Sequence, residues 1–414
     1  MGSMKREFLQ KLLSEYFYQG KRKVTVFLAR FGAVVLAILI LVGDAEAQRM
    51  ATPAKTAVLL DTSTGSILFE KDADTPFPPA SMSKLMTVYY AFDAIKQGEL
   101  ALDDEVVVSD ETWREWNNRG STMFLRAGDV VTVADLLRGI IVLSGNDACV
   151  VLAEHMAGSH EIFVDWLNGK GTELGLTGSH FVNANGWPAE GHVMTARDLA
   201  TLSYRLTSDF PELYNMFGER EYLYKEFTKN KYNRNPLLGR FPGADGLKTG
   251  HTEESGYGLA ASAERDGRRL VLVVSGLTST NERMRESQRL MQYGFRNFSH
   301  YPLFRSGETV DYAEVWLGNT ATVPLVLDGD VAITMSRRQR AQMTVSIEYF
   351  NPVAAPIAKG QQMGELVVEM PGRETVRTPL LAGSAVEEIG GFGKIGAAFQ
   401  YFLFGSAGAE NPPK

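Results

Sequence analysis

The hydrophobic pattern divides the chain into two regions of different character. In the first region, strand-like runs stand at both ends, and segments with apolar residues at helical spacing lie between them. The predicted elements are a hairpin at 57–69, helices at 82–92, 133–143 and 148–156, strands at 256–263 and 270–277 joined by an Asp266-Gly267 turn, and a last helix at 283–298. This order predicts a mixed α/β domain, which we assign to residues 48–303.

The second region alternates apolar and polar residues with a period of two. Val323, Leu325 and Leu327 show the pattern first, and the runs 331–335 and 343–349 repeat it. We therefore predict a small all-β domain over residues 304–388.

An amphipathic segment follows the second region. The apolar residues at helical spacing are Phe392, Ile395, Phe399, Phe402 and Leu403. We predict a helix over 389–406 that lies on a membrane surface, with a disordered tail at 407–414. The alternative is that these side chains pack onto the β domain as part of its core.

The first 47 residues have the composition of an export signal. Basic residues precede an apolar run from Phe31 to Gly43, and Ala45-Glu46-Ala47 supplies the small residues of a cleavage site. This run is too short to cross about 30 Å of hydrocarbon as a helix. Residues 1–47 are thus predicted to be a cleaved signal peptide. The alternative is an uncleaved anchor from Val24 that Arg30 interrupts, and either interpretation exports the chain.

Composition and charge narrow the classes of function. The 414 residues are 44% hydrophobic and 22% charged, which is ordinary for a globular protein and excludes a collagenous, largely disordered or polytopic membrane chain. The net charge of −7 makes a nucleic acid partner unfavourable. The single cysteine, Cys149, excludes an intrachain disulfide, and we expect it to be a small buried residue. We expect neither a metal nor an organic cofactor.

Three short polar motifs are the candidate chemistry. In chain order they are Ser81-x-x-Lys84, Ser144-Gly145-Asn146 and Lys248-Thr249-Gly250. Ser81 and Lys84 stand three apart at a predicted helix start, so their side chains can meet. A lysine serves as the base for a hydroxyl if burial or a neighbouring cation such as Lys248 lowers its pKa. The structural alternative makes Ser81 a helix cap and Lys84 a solvated charge.

The other two motifs also have a catalytic and a structural interpretation. The Ser144 hydroxyl is placed to relay a proton to a leaving amine, and the Asn146 amide to orient Lys84 or the substrate; alternatively, both cap the following helix. Lys248 and Thr249 offer a cation and a hydroxyl to a carboxylate beside a strand edge, or they form part of a polar turn.

The three motifs together resemble those of the penicillin-recognising serine enzymes, in which the second motif reads S-D-N where this chain has S-G-N. The segments 79–87, 144–149 and 245–252 are similar to the low-molecular-weight penicillin-binding proteins of D-alanyl-D-alanine carboxypeptidase type. The similarity runs from about Ala54 to Phe404. It implies an α/β fold with a β-lactamase-like, transpeptidase-type domain, followed by the small all-β domain and the C-terminal amphipathic helix.

The resemblance also implies a role for each site residue. Ser81 is the acylated nucleophile, Lys84 its base and Ser144 the third catalytic residue. The implied substrate-binding residues are Asn146, Lys248, Thr249, Gly250, His251 and Arg283. The backbone N–H groups of Ser81 and His251 form the implied oxyanion hole, and no metal takes part.

The implied function is a serine D,D-carboxypeptidase that removes the terminal D-Ala from peptidoglycan pentapeptide stems and is inhibited by β-lactams. Its expected location is the periplasm, where the C-terminal helix attaches it to the inner membrane surface. Two alternatives stay open: a D,D-endopeptidase that cuts peptidoglycan crosslinks, and a catalytically inactive wall-binding protein.

Overall fold

The computed structural model describes residues 50–226, 230–349 and 353–390. The predicted signal peptide at 1–47 and tail at 407–414 lie outside these residues, as does the predicted C-terminal helix except for its first two positions. Within the three described ranges, no helix combines the length and the apolar content needed to span a bilayer.

Helices and strands alternate in the first two thirds of the chain, and strands dominate the last third. The strands are β1 (Thr56–Asp61), β2 (Ser66–Lys71), β3 (Glu105–Val107), β4 (Val130–Thr132), β5 (Ala244–Thr252), β6 (Gly256–Arg265), β7 (Arg268–Leu277), β8 (Phe298–Phe304), β9 (Thr309–Trp316), β10 (Thr322–Val326), β11 (Val331–Ser336), β12 (Thr344–Tyr349), β13 (Val353–Ala354), β14 (Gln362–Glu369) and β15 (Val376–Ala382). The helices are α1 (Lys84–Gln97), α2 (Asp110–Trp116), α3 (Val133–Arg138), α4 (Asn146–Ala157), α5 (His160–Glu173), α6 (Ala196–Asp209), α7 (Thr280–Asn297) and α8 (Arg337–Ala341).

A five-stranded antiparallel sheet forms the centre of the first region, with strand order β2-β1-β7-β6-β5. Every residue of β1 is buried, because the sheet is covered on both faces. Val58 belongs to the main core together with the helical segments, whereas Leu59 points to the other face, where it meets Gly294 of α7. Strand β5 is the last strand of this sheet and therefore has one edge without a strand partner.

The sequence predictions for this region hold with two corrections. The hairpin at 57–69 is present as β1 and β2, and Asp266 and Gly267 both have positive φ, as a primed turn requires. The helix predicted from residue 82 begins as a 3-10 turn at Ala80–Ser83 and becomes α-helical only at Lys84. The predicted helix at 133–143 is α-helical only as α3, after which Gly139–Leu143 forms a wider π-helical turn. Apolar periodicity over so few residues does not distinguish these turns.

The last third contains a six-stranded sheet with strand order β12-β14-β15-β10-β9-β13. It has a core of its own, in which Val323, Leu325 and Leu327 are buried as the alternating pattern predicts. The all-β prediction is therefore confirmed, apart from the five-residue helix α8. Strand β8 pairs with β11 of this region, although most of β8 lies before residue 304. The division at 48–303 and 304–388 stays a prediction.

One buried ion pair links the five-stranded sheet to the start of β8. The Asp61 carboxylate is fully buried at the end of β1 and lies 2.6 Å from Nε of Arg268. A second nitrogen of Arg268 donates to the carbonyl oxygen of Phe298, at the start of β8. Because breaking a buried pair leaves an uncompensated charge, this contact matters more to folding than a surface pair.

We predict that Asp61→Ala lowers the free energy of unfolding by about 3 kcal/mol, because Arg268 loses its counter-charge in a largely buried position. The measurement is chemical denaturation followed by circular dichroism. The matched control is Glu348→Ala, which removes an exposed partner of Arg377 and should cost less than about 1 kcal/mol. Equal losses for the two variants would contradict the prediction.

Candidate active site

Ser81 lies on the 3-10 turn that leads into α1. Two glycines from other segments leave the space that this turn needs. Ala80 has a φ of +50°, so the chain bends sharply just before Ser81. On one side, a Cβ at Gly250 of β5 would lie 2.7 Å from the Pro79 carbonyl oxygen. On the other side, a Cβ at Gly186 would collide with the Ala80 carbonyl oxygen. The hydroxyl of Ser81 is thus presented, partly exposed, between β5 and the loop that contains Gly186.

Lys84 is fully buried, and its side chain ends on three oxygen atoms. Its Nζ lies 2.9 Å from Oγ of Ser81 and 2.7 Å from Oδ1 of Asn146, and it also donates to the backbone oxygen of Asn185. The predicted contact between Ser81 and Lys84 is therefore present. The alternative of a solvated Lys84 is wrong, and no side-chain cap is formed at the start of α1 or of the 3-10 turn.

The pKa of Lys84 is lowered to about 8, mainly by burial and also by the positive charge of Arg234, while Cys149 and Asp147 oppose the shift. The neutral amine has two hydrogens and one lone pair. The two hydrogens suit Asn146 and Asn185, whose oxygens only accept, and the lone pair is then free to accept the hydroxyl hydrogen of Ser81. This arrangement prepares Lys84 to act as a base.

The Ser144-Gly145-Asn146 segment forms the end of the π-helical turn and the start of α4. Ser144 has a φ of +64°, and Gly145, which caps α4, makes no side-chain cap bond. The capping interpretation of Ser144 and Asn146 is therefore wrong. The Asn146 amide is held from both sides, because Oδ1 accepts from Lys84 and Nδ2 donates to the backbone oxygen of Arg119 at 3.1 Å.

Lys248 reaches from β5 to the second motif. Its Nζ donates to Oγ of Ser144 at 3.0 Å, and the side chain is only 3% exposed. Burial is the largest cause that lowers its pKa well below the usual value, and the charges of Lys84 and Arg234 add to the effect. Thr249 is buried beside it on the edge strand. All three motifs thus meet at one place, as the sequence predicts.

Two buried residues behind the second motif have structural roles. The carboxylate of Asp147 accepts hydrogen bonds from the backbone N–H groups of Met123, Leu125 and Ala148, and burial raises its pKa. It thereby ties the segment around Met123 to the start of α4. Cys149 is fully buried, and burial raises the pKa of its thiol to about 12, so the prediction of a small, unreactive core residue is confirmed.

His251 lies near the C-terminal end of β5, and Arg283 lies on α7. Both side chains contact the same aromatic ring. The His251 ring stacks on Tyr257 with centroids 3.9 Å apart, and the guanidinium of Arg283 lies 5.7 Å from the centre of the same ring. Arg283 is 7% exposed, donates to the Gly258 oxygen, and has a pKa lowered to about 10 by burial. Its predicted role on the substrate side stays a prediction.

Sequence reasoning missed two residues of this site. Asn185 contributes a backbone oxygen to Lys84, and its own side-chain oxygen accepts from the Trp187 N–H at 3.0 Å. Arg234 lies at the surface, donates to Oγ of Ser121 at 2.6 Å, and lowers the pKa values of both lysines. Neither residue belongs to a motif. Within the described part of the chain, no three His, Cys, Asp or Glu side chains converge to hold a metal ion.

The geometry brings a buried lysine, rather than a histidine, next to the hydroxyl of Ser81, which is an arrangement typical of a serine hydrolase with a lysine base. The family model described as D-alanyl-D-alanine carboxypeptidase matches residues 44–279, and the model described as penicillin-binding protein 5, C-terminal domain, matches residues 298–388. The chain therefore belongs to the D-alanyl-D-alanine carboxypeptidase family.

Individual relatives agree with this assignment. The chain is 39% identical to D-alanyl-D-alanine carboxypeptidase DacC of Escherichia coli over 83% of this chain and 86% of that protein. Penicillin-binding protein 5 of Haemophilus influenzae has a similar structure, with a TM-score of 0.74, 34% identity, and coverage of 82% of this chain and 99% of that chain. The resemblance seen in the sequence, the α/β domain followed by an all-β domain, and the assignment as a serine-type carboxypeptidase are thus confirmed, whereas the C-terminal helix stays a prediction.

We predict that acylation of the enzyme by penicillin becomes about tenfold faster per pH unit up to about pH 8 and then levels off, because only neutral Lys84 accepts the Ser81 proton. The inflection belongs to the two lysines together, since their charges interact. Arg234→Gln should move it to higher pH, because a positive charge that lowers the lysine pKa values is lost. The measurement is the second-order acylation rate constant between about pH 6 and pH 10. A flat profile would contradict the assignment of the base.

Proposed function

We propose that Ser81 is the nucleophile with which this carboxypeptidase removes the terminal D-Ala from peptidoglycan pentapeptide stems. The observation that carries the proposal is the 2.9 Å contact between Ser81 Oγ and the fully buried Lys84 Nζ. Ser81 attacks the carbonyl carbon of the penultimate D-Ala, and neutral Lys84 takes the hydroxyl proton. The C–N bond breaks, D-Ala leaves with a proton on its amine, and water later hydrolyses the ester on Ser81.

The second and third motifs serve the leaving group. Ser144 and Lys248 are hydrogen-bonded to each other, so the Ser144 hydroxyl is placed to deliver the proton to the amine of the departing D-Ala. Lys248 and Thr249 bind the terminal carboxylate, and Asn146 orients Lys84 and the substrate. The backbone N–H groups of Ser81 and His251 stabilise the tetrahedral oxyanion, with Gly250 between His251 and Thr249 on the edge strand. Arg283 contacts the Tyr257 ring, which stacks on His251, and in this way positions the part of β5 that faces the substrate.

β-Lactams acylate the same serine in this proposal. A similar solved structure is penicillin-binding protein D2 of Listeria monocytogenes in its ampicillin-bound form, with a TM-score of 0.52, 29% identity, and coverage of 60% of this chain and 99% of that chain. The contacts among Ser81, Lys84 and Asn146 favour a working enzyme over an inactive wall-binding protein. Hydrolysis of a cross-linked peptide without a free terminal carboxylate would indicate the endopeptidase alternative.

We place the enzyme in the periplasm, after removal of the signal peptide at 1–47, with the helix at 389–406 on the inner membrane surface. Support for export comes from the basic and apolar pattern before Ala47. Support for surface attachment comes from the spacing of aromatic and aliphatic residues after Gly391, where Lys394 is the sole charged residue up to Gly405.

We predict that Ser81→Ala abolishes both D-Ala release and the covalent penicillin adduct, because the variant lacks the hydroxyl that contacts Lys84. The measurements are intact mass after incubation with penicillin and the release of D-Ala from a pentapeptide.

The matched control is Ser83→Ala. Ser83 is two residues away on the same 3-10 turn, but its buried Oγ donates to the Ala80 oxygen and does not contact Lys84. This variant should still form the adduct. An adduct on the Ser81→Ala protein would show that the nucleophile is elsewhere.

We predict that truncation after Gly390 releases the mature enzyme from membranes without loss of activity on small peptides, because apolar burial is the proposed means of attachment. Ile389 is kept because its N–H donates to the Leu317 oxygen. Sedimentation with vesicles and the melting temperature are the measurements. A marked fall in melting temperature would instead indicate that the removed segment packs onto the β domain.

A further inference from the structure

Arg119 lies beside the second motif and contacts two tryptophan rings. Its guanidinium carbon is 4.8 Å from the centre of the Trp116 ring and 4.9 Å from the centre of the Trp187 ring. The two rings also contact each other edge to face, with centroids 5.7 Å apart. Trp116 is the buried last residue of α2, whereas Trp187 follows Gly186 in a distant loop. We call the side chains of Trp116, Arg119 and Trp187 the Arg119 clamp.

On one side, the clamp holds the segment that contacts Asn146. The backbone oxygen of Arg119 accepts from Asn146 Nδ2 at 3.1 Å, and the backbone oxygen of Ser121 accepts from the Asn146 N–H at 2.7 Å. Between them, Gly120 has a φ of +72°, and a Cβ there would lie 2.9 Å from both Asn146 Nδ2 and the Trp187 ring. This close approach leaves the Asn146 amide little room to turn.

On the other side, Trp187 belongs to the loop that gives Lys84 another acceptor. The Trp187 N–H donates to the side-chain oxygens of Asn183 and Asn185, both at 3.0 Å. The backbone oxygen of Asn185 accepts from Lys84. The clamp thus links the two segments whose oxygens, from Asn146 and Asn185, hold the Lys84 amine.

The environment of Arg119 suits this linking role better than a role as a surface charge. Its ion pair with Glu115, at 3.1 Å, is exposed on both sides, and such pairs contribute little. A cation over the face of a tryptophan ring is attracted by the ring quadrupole, and a planar guanidinium stacks on such rings better than an ammonium group. Arg119 therefore connects α2 to the loop of Trp187 chiefly through its contacts with the rings.

We propose that Arg119 is a positioning residue for acylation, which acts through the Asn146 amide on the orientation of Lys84. With the clamp closed, Asn146 keeps its oxygen towards Lys84, and the lone pair of the neutral amine faces Ser81. Without the clamp, the amide turns more freely, and the lone pair faces Ser81 for a smaller fraction of the time. Small losses of such alignment reduce rates strongly. This inference rests on the proposed function, because it concerns the acylation of Ser81.

The test is the second-order rate constant for acylation of Ser81 by penicillin. Arg119→Met should be about 5- to 30-fold slower than the wild type, the size that corresponds to two lost cation–π contacts at an exposed position. The reduction should be equal at about pH 7 and about pH 9.5, because orientation rather than protonation is impaired. Loss of the positive charge alone would raise the pKa of Lys84 and slow acylation only while the amine is protonated. A reduction that disappears at the higher pH would overturn the proposal.

The matched control is Arg114→Met. Arg114 lies on α2 and forms the same kind of exposed pair, with Asp110 at 2.8 Å, but it does not belong to the clamp. Its variant should be acylated at the wild-type rate. An equal loss in Arg114→Met and Arg119→Met would contradict a role for the ring contacts.

A double-mutant cycle tests whether Arg119 acts through Asn146. Asn146→Ala should itself slow acylation, and Arg119→Met added to it should cause less than about a twofold further change, because the amide that the clamp holds is gone. A full additional loss would overturn the inference, as would a wild-type rate for Arg119→Met alone. Either result leaves the proposed function standing if wild-type Ser81 is acylated. Absence of an adduct on Ser81 of the wild-type enzyme would overturn both.

Discussion

The buried amine of Lys84 is the constraint on which the rest of the site depends. A fully buried Nζ must be surrounded by hydrogen-bond partners, and here they come from residues 81, 146 and 185. These positions belong to the 3-10 turn, to the start of α4 and to the loop before Trp187. Satisfying one polar atom therefore fixes the relative positions of three separate parts of the chain, including the turn that carries Ser81.

The two lysines of the site have no acidic partner within hydrogen-bond distance among the described residues, in contrast to Arg268. Arg268 has Asp61 as a buried counter-ion, but Lys84 and Lys248 are surrounded by hydroxyl, amide and carbonyl oxygens. Asp147 is near enough to influence Lys84, yet its oxygens are occupied by backbone N–H groups. A carboxylate paired with Lys84 would raise its pKa and make it a poorer base. The neutral acceptors around Lys84 are therefore consistent with the proposed role of this lysine as a base.

The sequence predicts the residues of the three motifs and misses the residues that hold them in position. Ser81, Lys84 and Lys248 are recognisable because each motif is defined by the type and the spacing of its side chains. Asn185 contacts Lys84 through its backbone oxygen, which every residue has, so no pattern marks it. The 3-10 turn at Ala80–Ser83 is likewise unpredictable, since it depends on how closely Gly186 and Gly250 approach from distant segments. Tertiary contacts of this kind are absent from local periodicity.

The bond between Lys248 and Ser144 spans the seam between the central sheet and the helical part of the same domain. One partner is carried by an edge strand and the other by a turn between helices, and they are 104 positions apart along the chain. The sheet and the helical part share one hydrophobic core, to which Leu247 beside Lys248 and Leu143 beside Ser144 both belong, so packing in this core holds the two motifs together. Partial opening costs less free energy than global unfolding. We therefore expect that substitutions far from Ser81 that loosen this packing impair turnover before the whole domain unfolds.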